Sequence, residues 1–171
     1  MKIGLAADHK GYALKQNVES FLTSLGYQVI DFGPYYLDKL DDYPDFVIPL
    51  AMALHNKEVK RGIAICESGV GASIAANKIQ GVRAALINDH FSAHQGVEND
   101  DMNLLCLGGT FPGFATAKEL VKLFLDASFA NEEKYIRRLR KISSLEYMIN
   151  VEHRRAGITK GKDSLNMGRI Y

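Results

Sequence analysis

The sequence predicts a three-layer α/β/α, Rossmann-like fold, with a five-stranded parallel sheet, helices on both faces and one further helix added at the C-terminal end. Three observations predict it. Five short apolar runs, at 2–7, 27–32, 62–66, 82–87 and 103–107, alternate with stretches of helical periodicity, as strands joined by helical crossovers do. In the stretch IAICESGVGASIAANK, residues 63–78, the third run stops at a thiol, a carboxylate and a hydroxyl, with two glycines directly behind them. The apolar part reads as a buried strand, the glycines as a tight turn, and Ser73 to Lys78 as the opening of a helix. The chain of 171 residues fits one domain with a sizeable core and a tail.

The elements follow in order. After the first strand, Leu14, Val18, Phe21, Leu22 and Leu25 form one helical stripe, and Gly26 can end the helix. Residues 33–45, GPYYLDKLDDYPD, read as a loop, and Pro44 can open a helix through about Asn56. Later helices are expected over 90–98 and 114–127. A last helix begins after Ala130, with Asn131 as its N-cap, Glu132 and Glu133 in its positive first turn, and an apolar stripe of Ile136, Leu139, Ile142, Leu145 and Ile149. An apolar side on an appended helix suits docking onto a second subunit. From Val151 onward five Lys or Arg stand against two acids, so a basic C-terminal tail, 151–171, is expected to be peripheral or partner-dependent. The domain proper is expected over 1–150.

Composition excludes several classes. Apolar residues make up 47% and charged residues 24% of the chain, with a net charge of +1. That balance gives no signature of a nucleic-acid or membrane binder. Two cysteines, Cys66 and Cys106, are too few for a disulfide framework or a zinc cluster. The N-terminus lacks the apolar core of a signal peptide, and the longest uncharged run is broken by Gly108, Gly109, Pro112 and Gly113. A cytoplasmic protein is the simplest reading. GVG lacks the third glycine of a dinucleotide fingerprint, as residue 74 is isoleucine, and no GxxxxGK[ST] is present. Neither cofactor nor metal is expected: His90 and His94 have the spacing of a metal pair but no accompanying ligand motif.

The chemical candidates cluster at predicted strand ends. Cys66 reads either as a small buried hydrophobe or as a base beside helix-terminal N–H groups, with Ser68 and the backbone of Gly69 and Gly71 placed to hold an oxyanion. Asp8 and His9 end the first strand on the same edge. Asp8 reads as a helix cap or a pocket residue, and His9 as a surface imidazole or a contact for a phosphate oxygen. Lys134, Arg138 and Lys141 make a basic stripe on the last helix, either solvated or a phosphate clamp.

The segments AADHKGYALK at 6–15, DYPDF at 42–46, CESGVGASIAANKIQGVRAAL at 66–86 and FSAHQGVENDDMNLLCLGG at 91–109 resemble the type B ribose-5-phosphate isomerases and the galactose-6-phosphate isomerase subunits. The likeness covers about 1–150. It implies the three-layer fold, a homodimer or homotetramer with a shared active site, and aldose–ketose interconversion of a sugar phosphate without metal or cofactor. By that resemblance Cys66 is the enolising base, and Ser68, the usual threonine position, binds the reacting oxygens. Backbone N–H groups of Gly69, Val70, Gly71 and Ala72 would hold the enediolate. Asp8, His9, Tyr43 and Asn77 match positions lining the sugar or phosphate pocket, and Lys134 and Arg138 the C-terminal phosphate arginines. Three positions depart from the pattern. The ring-opening histidine falls at Asn99, a phosphate arginine at Thr110, and a small residue at Glu67, here a second proton carrier or a solvated carboxylate. His94, one turn before Asn99, is a substitute for the missing imidazole. The alternatives are an isomerase for a tetrose 4-phosphate or hexose 6-phosphate, or a non-catalytic subunit of a hetero-oligomer.

Overall fold

The computed structural model describes the backbone of residues 1–155 and the side chains of residues 1–148; the remainder of the basic tail lies outside the described residues. Strands β1 (Lys2–Ala7), β2 (Gln28–Asp31), β3 (Arg61–Cys66), β4 (Ala84–Leu86) and β5 (Leu104–Gly108) form one sheet in the order β2-β1-β3-β5-β4. Every pair is parallel, with Ile63 facing Leu5 on one side and Leu105 on the other. The helices are α1 (Tyr12–Ser24), α2 (Pro44–His55), α3 (Val70–Ala76), α4 (His90–Asp100), α5 (Phe114–Asp126) and α6 (Glu133–Arg155).

Alternation along each strand divides the core in two. Ile3, Leu5, Ile63, Ile65, Leu105 and Leu107 point to one face, where α1, α4 and α5 supply Val18, Val97 and Phe124. Ala6, Ala64, Cys66, Leu104 and Cys106 point to the other, under α2 and α3, which supply Leu50 and Ala72. Strands covered on both sides are apolar along their buried length: β1 and β3 are so after their first residues, Lys2 and Arg61, and β5 is so throughout.

The expected stripe of α1 buries Leu14, Val18 and Leu22, while Leu25 at the helix end stays 48% exposed. Beside the stripe lies a residue that periodicity assigns to solvent. Lys15 is fully buried, and its Nζ donates to both carboxylate oxygens of Asp31, at 2.7 and 2.6 Å, and to the Pro34 carbonyl at 2.7 Å. Three acceptors match the three protons of the ammonium group. The buried charge is thereby paired and its donors are used, which is the condition for tolerating it. The ion pair ties α1 to the end of β2 and to the start of the loop that follows.

Two helix starts differ from the sequence reading. Helix α3 begins at Val70, three residues before Ser73, because Gly69 takes a left-handed conformation and turns the chain at once. Asn131 is not the N-cap of α6: it sits at φ +54°, and the Glu132 carbonyl accepts the first helical N–H groups, from Tyr135 and Ile136. Arg61 closes the far end of α5 by donating to the carbonyls of Phe124 and Ala127.

The chain divides into two compact units, Met1–Ala130 and Asn131–Tyr171. In the second, Lys134 pairs with Glu132 at 2.8 Å, and both Lys134 and Arg138 lie by the Tyr135 ring, at 4.6 and 5.8 Å from its centre. Ile142, Leu145 and Met148 of α6 are each about half exposed. No described helix is long and apolar enough to cross a membrane.

Replacing Lys15 by alanine would leave the Asp31 carboxylate without its cation. The loss is expected to cost roughly 3 kcal/mol, as for other pairs broken on one side. Urea unfolding of Lys15→Ala against the parent checks this, and a Lys15→Met variant should lose less of the packing.

Candidate active site

Strand order fixes where the crevice opens. From β1 the chain passes through α1 to β2 on one side and then through α2 to β3 on the other. The two crossovers cover opposite faces, so the carboxyl ends of β1 and β3 form the switch point at which such sheets bind ligands. The residues singled out from the sequence end these two strands.

Cys66 is the last residue of β3 and is 4% exposed. Its Sγ accepts a hydrogen bond from the Gly69 N–H at 3.1 Å. That return contact requires the chain to reverse within three residues, and Gly69 does so at φ +81°. A Cβ at Gly69 would stand 2.6 Å from Leu86 Cδ1 and 2.9 Å from the Leu107 carbonyl carbon. Both the backbone angle and the space therefore demand glycine. Behind the turn, the first bond within α3 runs from Ser73 N–H to the Gly69 carbonyl. The N–H groups of Val70, Gly71 and Ala72 precede it and have no acceptor within the helix. Glu67, Ser68 and Val70 face solvent, while the Ala72 side chain is buried in the core. The second thiol, Cys106, is buried on the same sheet face. Burial pushes its ionisation well above the ordinary range, and the nearby Cys66 adds to the effect, so Cys106 is a small apolar residue here.

At the end of β1, Asp8 Oδ1 accepts the N–H groups of Lys10 and Gly11, both at 2.9 Å. Burial nevertheless holds the Asp8 carboxyl above its usual range, against the pull of these two donors. Gly11 and Gly109 bring three loops together. A Cβ on Gly11 would meet the Ile65 carbonyl, and one on Gly109 the Lys10 carbonyl, while Gly109 N–H donates to the Cys66 carbonyl at 2.7 Å. His9 follows Asp8, and its ring Nδ1 lies 2.7 Å from Asp41 Oδ1. Tyr43, at the start of α2, lays its ring on the first turn of α3: a Cβ at Gly71 would come within 2.7 Å of Tyr43 Cζ. Cys66, Ser68, Gly69, Gly71, Asp8, His9 and Tyr43 thus share one edge of the sheet.

The sequence profile of the Ribose/Galactose Isomerase family matches residues 3–142. The chain belongs to that family. Ribose-5-phosphate isomerase B of Escherichia coli is 35% identical over 149 residues, covering 87% of this chain and 99% of its own. The solved structure of ribose-5-phosphate isomerase B from Clostridium thermocellum superposes with a TM-score of 0.84 at 41% identity, over 87% of this chain and 99% of that one. The Mycoplasma genitalium enzyme, solved with bound ribulose-5-phosphate, gives a TM-score of 0.81 at 37% identity, over 85% and 96%. D-erythrulose-4-phosphate isomerase of Pectobacterium atrosepticum is 33% identical over 129 residues, 75% of this chain and 85% of its own. The protein is a sugar-phosphate aldose–ketose isomerase with the family's five-stranded parallel sheet.

Other candidate residues of this isomerase are placed differently. Asn77 uses its amide on the backbone of Ala84, donating to the carbonyl at 2.8 Å and accepting from the N–H at 2.9 Å. His94 is half exposed and lies 3.5 Å from Glu98 on α4. Val97 on that helix is fully buried against the opposite sheet face from Cys66. His90 pairs with Glu119 of α5 at 2.7 Å. Asn99 is partly buried and Thr110 is exposed. Lys134 and Arg138 belong to the second compact unit. Among the described residues no three His, Cys, Asp or Glu side chains gather as a metal site.

Two functional neighbours were not legible as such in the sequence. Asp41 sits in an acidic stretch, Asp38 to Asp42, that reads as a solvated loop, and its partner His9 is 32 positions away. Lys15 reads as a solvated helix residue.

Gly71→Ala tests the Tyr43 contact. The added methyl is expected to push the Tyr43 ring out of place and lower kcat/KM at least about tenfold, with little change in melting temperature because the obstructed atoms end a movable side chain. Steady-state kinetics beside a thermal melt read both.

Proposed function

We propose that the chain interconverts ribose 5-phosphate and ribulose 5-phosphate, with the Cys66 thiolate as the enolising base. The observation that carries this reading is the position of Cys66 Sγ: at the end of β3, at the switch point, and directly beside the N–H groups of the following turn. In the aldose-to-ketose direction the thiolate takes the proton from C2, and the electron pair of the C–H bond passes to the carbonyl oxygen through an enediolate. The C2 hydroxyl proton passes to the oxygen on C1, and the resulting thiol returns a proton to C1 as the ketone forms at C2. N–H groups of residues 69–72 donate to the developing oxyanion, and the Ser68 hydroxyl binds the reacting oxygens. The names of the Escherichia coli and Mycoplasma genitalium relatives support this substrate pair.

Asp8 and Tyr43 form the sugar pocket in this reading, with Asn77 holding the backbone of Ala84, and His9 with Lys134 and Arg138 grips the phosphate. The active unit is a homodimer or homotetramer in which α6 of a neighbouring subunit brings the last two cations. Arg138→Ala is then expected to raise KM for the phosphorylated sugar about tenfold or more, because a charge-assisted contact is lost. Equal turnover of phosphorylated and unphosphorylated ribose would remove the clamp.

A second reading rests on Asn99, where an amide stands in place of a ring-opening imidazole. A substrate that is already open needs no such group, and one relative is named as an isomerase of a four-carbon sugar phosphate. Kinetics of the pure protein on four-, five- and six-carbon sugar phosphates decide between the two. The expected result is the highest kcat/KM on ribose 5-phosphate; a clear preference for the acyclic tetrulose phosphate selects the second reading, and no turnover of any overturns both. A His94→Ala variant that loses only the cyclic substrate would assign ring opening to His94.

A further inference from the structure

We infer that Asp41 is a positioning residue for His9, fixing its imidazole by Nδ1 and presenting Nε2 as a cationic donor to the phosphate of the substrate. The inference rests on the phosphate role proposed for His9.

The geometry is a two-point grip. Asp41 Oδ1 accepts the backbone N–H of His9 at 2.9 Å and meets the ring Nδ1 of the same residue at 2.7 Å. An ionised carboxylate only accepts, so Nδ1 carries a proton and donates. The ring nitrogen left to change its protonation is Nε2. With backbone and ring both held on one oxygen, the imidazole has little freedom to turn, and its outward end is set by the loop 32–43 and not by His9 itself.

The burial is unequal. The Asp41 side chain is 8% exposed and that of His9 22%. Asp41 Oδ2 is buried with no hydrogen-bond partner among the described residues. A carboxylate so placed has its charge balanced chiefly by the ring it touches, and a neutral imidazole would leave that charge uncompensated. The hydrogen bond to Asp41 accordingly raises the basicity of His9 above the ordinary histidine range. The charges of Asp41 and Asp8 add to this, while Lys10 and partial desolvation oppose it. The cationic ring is thus present below a raised titration point and is lost as pH rises through it. The loop reaches this position because Lys15 and Asp31 anchor its first residues: Lys15 Nζ holds the Pro34 carbonyl, and Asp31 Oδ1 accepts the Gly33 N–H at 2.8 Å.

Asp41→Asn tests the assignment in the full chain. The amide oxygen can still accept both N–H groups, so the variant is expected to fold with the loop in place. NMR titration of the His9 ring nitrogens should move to lower pH in the variant. At about pH 8, KM for ribose 5-phosphate should rise about tenfold and the inhibition constant of inorganic phosphate should rise with it. At about pH 6, where a histidine of ordinary basicity is largely charged, the two proteins should differ much less. Changes in kcat should stay smaller than those in KM. An unmoved His9 titration, or an equal rise in KM at both pH values, overturns the inference. His9→Ala separates the failures. If that variant raises KM and Asp41→Asn does not, Asp41 has no positioning role; if neither raises KM, the phosphate role of His9 falls as well.

Discussion

The rest of the site depends on one constraint, the reversal of the chain directly after β3. Cys66 ends a strand buried on both faces, and Gly69 must return its N–H to the thiol within three residues. Leu107 and Leu86 close the space around the turn, so neither a larger residue nor a wider loop fits. A side chain with chemistry is thereby held rigidly at the rim of an apolar sheet, with the Gly69 N–H turned onto its sulfur at the head of a helix. Rigid placement of donors before charge develops is what makes an oxyanion site effective.

Around that turn the architecture supplies partners in a fixed order. The sheet reverses its winding between β1 and β3, which puts Asp8 and His9 next to Cys66 although they are far apart in sequence. Gly11 and Gly109 let the loops after β1 and β5 pack against the end of β3 without intervening side chains. The loop before α2 then folds over this edge. It is secured at its start by the buried Lys15–Asp31 pair and at its end by Pro44, and between them it delivers Asp41 to His9 and the Tyr43 ring to Gly71.

What was legible in the sequence follows from this arrangement. Strands buried on both faces announce themselves as apolar runs, and a turn that only glycine can make leaves its glycines in place, so the sheet, the helices and the 66–71 loop could be read directly. Site edges formed by strand termini were equally visible, as at Asp8 and His9. Pairings across long sequence distance were not. Lys15 looks like any exposed helical lysine until Asp31, 16 positions on, is brought under it. Asp41 is one of several acids in a polar loop, and only the tertiary fold selects it for His9. Helix starts were misplaced where a left-handed residue turns the chain just ahead of the helix, at Gly69 before α3 and at Asn131 before α6.

The central claim is that Cys66 moves the proton, and loss of the C2 hydron measures it most directly. Ribose 5-phosphate deuterated at C2, incubated with the protein in ordinary water, can be followed by NMR for both isomerisation and release of the label. The account predicts label release accompanying turnover in the parent protein and neither process in a folded Cys66→Ala variant, since a methyl group accepts no proton. Label release by Cys66→Ala at the parent rate would contradict it.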